Sequence, residues 1–182
     1  KILLKPFGTN PKTVMLGILC VVAMFSMFMS NTATAAMMLA FLTPVLKSLP
    51  ADGKGRIGLA LAIPVAANIG GIGTPIGTPP NAIALGYLND MGMGVTFMDW
   101  MLRMVPFVIV MILIAWGLLL FLFPFKAKKI ELKIGGGAKP GYHTIVVYVT
   151  FALTILLWIT EQWTGINSNI VALIPFAVFS AT

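Results

Sequence analysis

The sequence predicts an all-α, polytopic membrane protein, and three observations lead to that fold class. Of the 182 residues, 59% are hydrophobic and only 9% carry a charge, whereas an ordinary soluble domain carries about 25% charged residues. The net charge of +7 comes from basic residues that lie between apolar segments, which indicates membrane topology and argues against a nucleic-acid-binding surface. The apolar stretches are interrupted by polar breaks, the first of which is Ser30-Asn31-Thr32.

The first apolar stretch runs from Thr13 to Leu46 and predicts a re-entrant hairpin over residues 12–47. The break divides it into arms of about 17 and 14 residues, each shorter than the about 20 residues of a full crossing. Because cytoplasmic loops are rich in lysine and arginine, basic residues at both ends predict that both ends are cytoplasmic. These residues are Lys1, Lys5 and Lys12 before the stretch, and Lys47, Lys54 and Arg56 after it. The SNT segment then forms the tip, near the middle of the membrane.

The second apolar stretch predicts a discontinuous helix over residues 56–88. Its centre, residues 68–81, is rich in glycine and proline. Each interior glycine costs a helix about 1 kcal/mol relative to alanine, and proline removes a backbone donor. We therefore expect one half to end near Asn68 and the other to start near Pro80, where proline suits a first helical turn. The charge-poor turn that follows predicts the external side.

The rest of the chain predicts ordinary membrane helices and one loop. A spanning helix is predicted over residues 99–123, followed by a lysine-rich cytoplasmic linker over residues 126–141. A fourth helix is predicted from about Thr144 to Trp163, and a fifth begins near Asn169. Residues 1–125 would then form one unit, and residues 142–182 would begin the next. Since the chain stops within an apolar run, we interpret it as part of a longer protein.

The two breaks form the candidate site. Non-helical backbone persists in a membrane only where it is buried in protein or lines a cavity, because unsatisfied backbone groups cost several kcal/mol there. Ser26 and Ser30, four residues apart, are predicted on one face of the first arm. Both breaks offer neutral oxygens, from Ser26, Ser30, Asn31, Thr32 and Thr34 and from Asn68, Thr74, Thr78 and Asn81. Such oxygens suit an alkali cation better than zinc or calcium; the alternative is that they serve only close helix packing.

The same two segments resemble the divalent anion/sodium symporter family, which contains sodium-coupled dicarboxylate and citrate transporters. The resemblance rests on Ser26-x-x-x-Ser30-Asn31-Thr32-Ala33-Thr34 and on Asn68-Ile69-Gly70-Gly71-x-x-Thr74-x-x-Gly77-Thr78-Pro79-Pro80-Asn81. It implies a homodimeric, inverted-repeat secondary transporter that works by an elevator-type mechanism. Each repeat would contain an SNT-tipped hairpin and a discontinuous helix. This chain would hold the later part of the first repeat and the first helices of the second.

The resemblance also implies roles for individual residues. The residues expected to contribute to a sodium site are Ser26, Ser30, Asn31 and Gly77. Those expected to contact a substrate carboxylate are Asn31, Thr32, Thr78 and Pro79. The implied function is sodium-coupled symport of di- or tricarboxylates of the succinate, malate, fumarate or citrate class. Sodium is the coupling ion, and no other cofactor is expected.

Several alternatives stay open at this point. They are a sodium-independent dicarboxylate exchanger, a related ion or oxyanion transporter, and a channel. An intramembrane enzyme is not indicated, since neither an HExxH nor a GxSxG motif is present. The expected location is the plasma or inner membrane, with residues 1–12, 47–56 and 124–141 in the cytoplasm. The expected partners are the carboxylate substrate, sodium ions, the lipid bilayer and a second copy of the chain.

Overall fold

The computed structural model describes residues 7–47, 49–50, 53–126, 129–130, 141–166 and 168–181. Its helices are α1 (Pro11–Ser26), α2 (Asn31–Lys47), α3 (Lys54–Gly71), α4 (Pro79–Asp90), α5 (Phe97–Leu122), α6 (Tyr142–Ile159), α7 (Glu161–Thr164), α8 (Ser168–Val171) and α9 (Leu173–Ser180). Within those described ranges no strand occurs, so the all-α prediction is confirmed. Most of the predicted linker and the predicted cytoplasmic residues Lys1 and Lys5 lie outside the described residues.

Local sequence signals explain where the helices begin. α1 begins at Pro11 and α4 at Pro79, and proline suits the first turn because its missing N–H has no helical partner there. Thr78 precedes α4 in an extended conformation, with φ of −150°. At the start of α5, Thr96 Oγ1 accepts a hydrogen bond from Asp99 N at 3.2 Å, and Asp99 Oδ2 accepts one from Thr96 N at 3.0 Å. This reciprocal capping box fixes the start of the long helix.

The helices α1 and α3 lie side by side and run in the same direction. Met15, early in α1, lies next to Gly58, early in α3, and Ala23 lies against Gly70 near the ends of both helices. A Cβ on Gly70 would overlap the backbone of Ala23. The two backbones therefore approach each other directly at this point, as small residues permit in membrane helix pairs.

The helices α2 and α5 run in the opposite direction. Asn31 at the start of α2 lies against Gly71 at the end of α3, and Phe125, just after α5, covers Gly55 at the start of α3. Basic residues thus gather at one end of the helix group: Lys12, Lys47, Lys54, Arg56 and Lys126. This is the arrangement expected if residues 12–47 enter and leave the membrane on one side. The re-entrant course of residues 12–47 and the side of the membrane on which it opens both stay predictions.

The core is built around α1, whose inward side chains are fully buried: Val14, Met15, Ile18, Leu19 and Val22. They pack in one cluster with residues of α2, α3 and α5, among them Leu42, Leu59, Ile63 and Ile112. A second, smaller cluster joins α6 and α8 to the start of α5 through Phe97, Trp158 and Val171. The rings of Phe97 and Trp158 stack with centroids 5.0 Å apart.

Two of the described helices, α5 and α6, are long and apolar enough to cross a membrane. Much of their outer surface is exposed and apolar, as Phe107, Ile114, Phe121, Tyr148 and Leu156 show, and such a surface suits lipid or further protein. The apolar helix α1 has 16 residues, which rise only about 24 Å, whereas a hydrocarbon core is about 30 Å thick. α1 is thus too short to cross alone, as a re-entrant arm requires.

Candidate functional site

The two breaks in the apolar stretches meet in the structure. Residues 27–30 join α1 to α2, and residues 72–78 join α3 to α4. Thr74 Oγ1 donates a hydrogen bond to the carbonyl oxygen of Met27, which ties one break directly to the other. The carboxyl ends of α1 and α3 and the amino ends of α2 and α4 are thereby brought into one region. The carboxyl ends of α1 and α3 carry partial negative charge, and they lie close to the amino ends of α2 and α4, which carry partial positive charge.

The unwound link of residues 72–78 is held by side chains that replace helical hydrogen bonds. Asn81 is buried, and its Nδ2 donates to the carbonyl oxygens of Gly71 and Thr74, both at 2.8 Å. Thr74 Oγ1 also accepts from the backbone N–H of Gly77 at 3.1 Å. These bonds satisfy polar backbone groups that the end of α3 leaves unpaired, which is the condition for non-helical backbone inside a membrane.

Asn31 lies at the centre of the site, and its side-chain amide can adopt two orientations that exchange the positions of Oδ1 and Nδ2. In the first, Ser26 Oγ donates to Asn31 Oδ1 at 2.8 Å, and Asn31 Nδ2 donates to Asn68 Oδ1 at 3.2 Å. In the second, Asn31 Nδ2 donates to Ser26 Oγ at 2.8 Å, to Ala67 O at 3.2 Å and to Gly77 O at 3.3 Å. The hydrogen-bond network decides between such orientations. With only protein atoms present, the second satisfies more groups.

In the first orientation, Asn31 Oδ1 lies 2.8 Å from Ser26 Oγ, 3.2 Å from Ala67 O and 3.3 Å from Gly77 O, so four oxygen atoms form one cluster. They are Ser26 Oγ, Asn31 Oδ1, Ala67 O and Gly77 O, and we call this set the oxygen cage. All four are neutral, and within the described part of the chain no group of histidine, cysteine or carboxylate side chains forms a metal site. A cage of neutral hydroxyl, amide and carbonyl oxygens at a helix carboxyl end has the chemistry of a sodium site in a transporter. The residues present therefore fit a sodium ion.

A cavity of about 370 Å³, open on one side and lined mostly by exposed or half-buried residues, adjoins the oxygen cage. Its polar wall consists of Asn31, Thr32 and Asn68, and its apolar wall of Ala35, Ala36, Leu39, Pro64 and Ala67. Asn31 belongs both to the cage and to this wall, so one amide faces both places. A cavity with a few converging polar groups on an apolar wall is the usual form of a small-ligand site.

The structure separates the residues predicted at the sodium site into two groups. Ser26, Asn31 and Gly77 come together in the oxygen cage. Ser30 does not lie on the same helix face as Ser26, because α1 ends at Ser26; that prediction is wrong. Instead, Ser30 Oγ accepts from Ala33 N at 3.2 Å and caps α2, as serine commonly does before a helix.

The residues predicted to contact the substrate are also only partly brought together. Thr32 joins Asn31 in the cavity wall. Thr78 and Pro79 stand at the start of α4 and are not part of that wall. Both positions still lie within two residues of Gly77 and hence near the cage. The binding roles of all these residues stay predictions.

Two groups at the site were not predicted from the sequence, and a third was predicted there without a role. The carbonyl oxygen of Ala67 belongs to the cage, and a backbone atom has no side-chain signature in a sequence. Trp100 Nε1 donates a hydrogen bond to Ile72 O at 3.0 Å, a contact that no sequence motif indicates. Asn68 was predicted as a polar residue of the second break but received no role. Its bond to Asn31 joins positions 37 residues apart in the chain.

The comparison with known families decides what kind of protein carries this site. Residues 1–180 match the family described as "Citrate transporter". The chain belongs to that family. Its relatives include sodium-dependent dicarboxylate transporters, so the resemblance to the divalent anion/sodium symporter family is confirmed. The family consists of membrane-embedded, multi-pass transporters and not of enzymes.

Three curated relatives show the range within the citrate transporter family. The chain is 35% identical to the low-affinity phosphate transporter PHO90 of Saccharomyces cerevisiae, with 96% of the chain and 20% of that protein covered. It is 32% identical to the sodium-dependent high-affinity dicarboxylate transporter 3 of Caenorhabditis elegans, with 86% and 32% covered. It is 31% identical to the sodium-dependent dicarboxylate transporter SdcS of Staphylococcus saprophyticus, with 88% and 35% covered. The chain thus spans a fifth to about a third of these relatives.

Proposed function

We propose that the protein carrying this chain transports di- or tricarboxylates into the cell together with sodium ions. The observation that carries the proposal is the oxygen cage beside the polar-walled cavity, with Asn31 shared between them. The names of the dicarboxylate transporters above, which match over this same segment, support it.

The cage would hold the sodium ion. Its four neutral oxygens compensate one positive charge without the strong binding of carboxylates, so the ion can be released on the other side of the membrane. The carboxyl ends of α1 and α3 add partial negative charge at the same place. Ser30, predicted as a fourth ligand position, would act here mainly through its cap on α2.

The cavity would hold one carboxylate of the substrate. The amino ends of α2 and α4 carry partial positive charge, which favours an anion. The amide of Asn31 and the hydroxyl of Thr32 supply hydrogen-bond donors at the start of α2. Thr78 and Pro79 would complete this side from α4. No described carboxylate side chain lies in the cavity wall to repel the anion.

The larger framework belongs to the same proposal. Residues 12–47 would form a re-entrant hairpin, residues 1–125 the later part of one repeat, and residues 142–182 the start of an inverted second repeat. The rest of the protein would supply the second half of the site. Transport would proceed by an elevator-type movement within a homodimer in the plasma or inner membrane, with residues 1–12, 47–56 and 124–141 in the cytoplasm.

Uptake into proteoliposomes that contain the full-length protein tests the coupling. Radiolabelled succinate should accumulate when an inward sodium gradient is present, and should not when potassium or choline replaces sodium. Asn31→Ala removes one cage oxygen and one cavity donor. Since a hydrogen bond to a charged group contributes about 1.5–3 kcal/mol, uptake should fall about tenfold or more.

The matched control for Asn31→Ala is Thr43→Val, because Thr43 Oγ1 donates to Leu39 O of its own helix and lies outside the cage and the cavity wall. This variant should keep uptake close to that of the unmodified protein. Succinate uptake that is indifferent to sodium would contradict the proposed coupling. Normal sodium-dependent uptake by Asn31→Ala would show that the site lies elsewhere.

A second candidate function is transport of inorganic phosphate. The specific observation in its favour is the 35% identity to the yeast phosphate transporter across 96% of the chain. Phosphate is also an oxyanion that helix amino ends can bind. Parallel uptake assays separate the two: proteoliposomes should accumulate radiolabelled succinate but not radiolabelled phosphate if the carboxylate proposal holds, and phosphate but not succinate if phosphate is the substrate.

A further inference from the structure

We infer that the side-chain amides of Asn31 and Asn68 form a relay between the oxygen cage and the cavity. When sodium occupies the cage, the relay makes Asn68 present a hydrogen-bond donor to the anion in place of an acceptor. The inference rests on the proposed function and adds a coupling route to it. It assigns to Asn68 a binding role that is switched by the ion. The observations behind it are the two orientations of Asn31, its bond to Asn68 and the exposed position of Asn68 in the cavity wall.

Without a cation, Asn31 turns its Nδ2 into the cage. There it donates to Ser26 Oγ, Ala67 O and Gly77 O, at 2.8, 3.2 and 3.3 Å. Its Oδ1 then faces the amide of Asn68 at 3.2 Å. Two amide oxygens at that distance repel each other, so Asn68 turns its own Nδ2 toward Asn31. The Oδ1 of Asn68, an acceptor only, is then left for the cavity.

With a cation in the cage, the order is reversed. An N–H group cannot point at a positive charge, so Asn31 turns its Oδ1 inward to join Ser26 Oγ, Ala67 O and Gly77 O. Its Nδ2 then donates to Asn68 Oδ1 at 3.2 Å. The Nδ2 of Asn68 makes no hydrogen bond to any residue that the structure describes. Because Asn68 is exposed in the cavity wall, this donor is available to an anion.

The relay therefore changes one group at the cavity from acceptor to donor when sodium binds. An acceptor beside a carboxylate is repulsive, while a donor forms a charge-assisted hydrogen bond. The Asn31 amide can exchange its Oδ1 and Nδ2 without backbone movement, because the two orientations occupy nearly the same space. Gly71 has no side chain beside the Asn31 amide, and a Cβ there would overlap it. By thermodynamic linkage, the anion must in turn strengthen sodium binding by the same factor.

The test measures coupling and not only activity. In the full-length protein in detergent, calorimetry gives the Kd of succinate without sodium and at saturating sodium, and their ratio is the coupling factor. Sodium binding alone is followed by the rise of the melting temperature with sodium concentration. Asn68→Ala removes the second amide and leaves all four cage oxygens. It should lower the coupling factor by about tenfold while leaving sodium binding nearly unchanged.

Asn68→Asp provides a second variant of nearly the same shape. An aspartate accepts from Asn31 Nδ2 but offers no donor to the cavity. Sodium should therefore bind at least as well as in the unmodified protein, while succinate should bind about tenfold more weakly or worse at every sodium concentration. Thr43→Val again serves as the control, since it lies on α2 outside the cage and the cavity wall.

The outcomes separate the relay from the proposed function. If the unmodified protein binds succinate equally well with and without sodium, the proposed coupling fails, and the relay fails with it. If the unmodified protein is coupled and Asn68→Ala keeps the full coupling factor, only the relay is overturned. Loss of sodium's own binding in Asn68→Ala would also overturn it, because Asn68 would then support the cage itself.

Discussion

Asn81 shows how a single side chain can hold backbone in a non-helical form. It is the third residue of α4, the second half of the broken helix, and reaches back to the carbonyl oxygens of Gly71 and Thr74. It is only 8% exposed, so water cannot replace it. Both carbonyls come from the segment that also supplies Gly77 O to the oxygen cage. The position of that oxygen therefore depends on Asn81.

Asn81→Ala should destabilise the protein and weaken sodium binding. The substitution removes the amide donor of Gly71 O and leaves Thr74 O only the bond from Gly77 N at 3.3 Å, and an unsatisfied buried polar group costs about 1–3 kcal/mol. We expect a lower melting temperature and a smaller rise of that temperature with sodium. Asn89→Ala is the matched control, since the Asn89 side chain bonds to the backbone of the half-buried Val95, away from the site. A melting temperature equal to that of the control would contradict the role assigned to Asn81.

The sequence predicts polar residues at the site better than it predicts their contacts. Ser26, Asn31 and Gly77 could be proposed because the two segments that contain them resemble the divalent anion/sodium symporter family. The cage carbonyl of Ala67 could not, because any residue has one. Ser30 was misplaced for a local reason: spacing of four residues implies a common face only while the helix continues, and α1 ends at Ser26. Trp100 bonds across 28 residues, a distance over which no local pattern extends.

The pairing of α1 with α3 explains why the two breaks coincide. The helices run parallel, and both end at the same level because Gly70 allows the backbone of Ala23 to approach. The bond from Thr74 to Met27 then closes the contact between the breaks. The bounds of these helices differ from prediction by a few residues, since α3 continues to Gly71 and α4 begins at Pro79. The sequence indicated each break, but the glycine contact that aligns them depends on tertiary packing.

Gly70→Ala should therefore damage the site even though alanine favours helices. The added methyl group would overlap the backbone of Ala23 and push α1 away from α3. Overpacking of this kind typically costs about 1–3 kcal/mol, and the shift would separate Ser26 from Ala67 and Gly77. Melting temperature and sodium dependence of melting should both fall.

Gly86→Ala is the control for this prediction. A Cβ at Gly86 meets no atom within 4 Å, and alanine is favoured over glycine in a helix by about 1 kcal/mol. Its melting temperature should be unchanged or slightly higher. Equal behaviour of the two variants would show that close approach of α1 and α3 does not align the breaks.

The described helices fall into two groups, one packed around a large buried cluster and one around a small cluster. Helices α1, α2, α3 and α5 share one buried cluster, whereas α6 and α8 meet α5 in the small cluster around Phe97. The backbone N–H of Phe97 donates to Glu161 Oε2 at 3.0 Å at the same place. The cavity is lined by α2 and α3 of the first group, whereas the two breaks that carry the cage also reach the second cluster through Phe28 and Ile76. This division agrees with the proposed boundary between the two repeats, which itself remains to be tested.

The gathering of basic residues at one end of the first group leads to a prediction about its orientation in the membrane. Single cysteines would replace Lys47, Lys126 or Met93 in a Cys20→Ala background, and all three positions are exposed. An impermeant thiol reagent should label the cysteines at 47 and 126 only from the cytoplasmic side, since positively charged loops stay inside. The cysteine at 93, in the turn between α4 and α5, should be labelled only from outside. If the cysteine at position 47 were labelled from outside and the cysteine at position 126 from inside, residues 12–47 would cross the membrane once. That result would contradict the re-entrant hairpin.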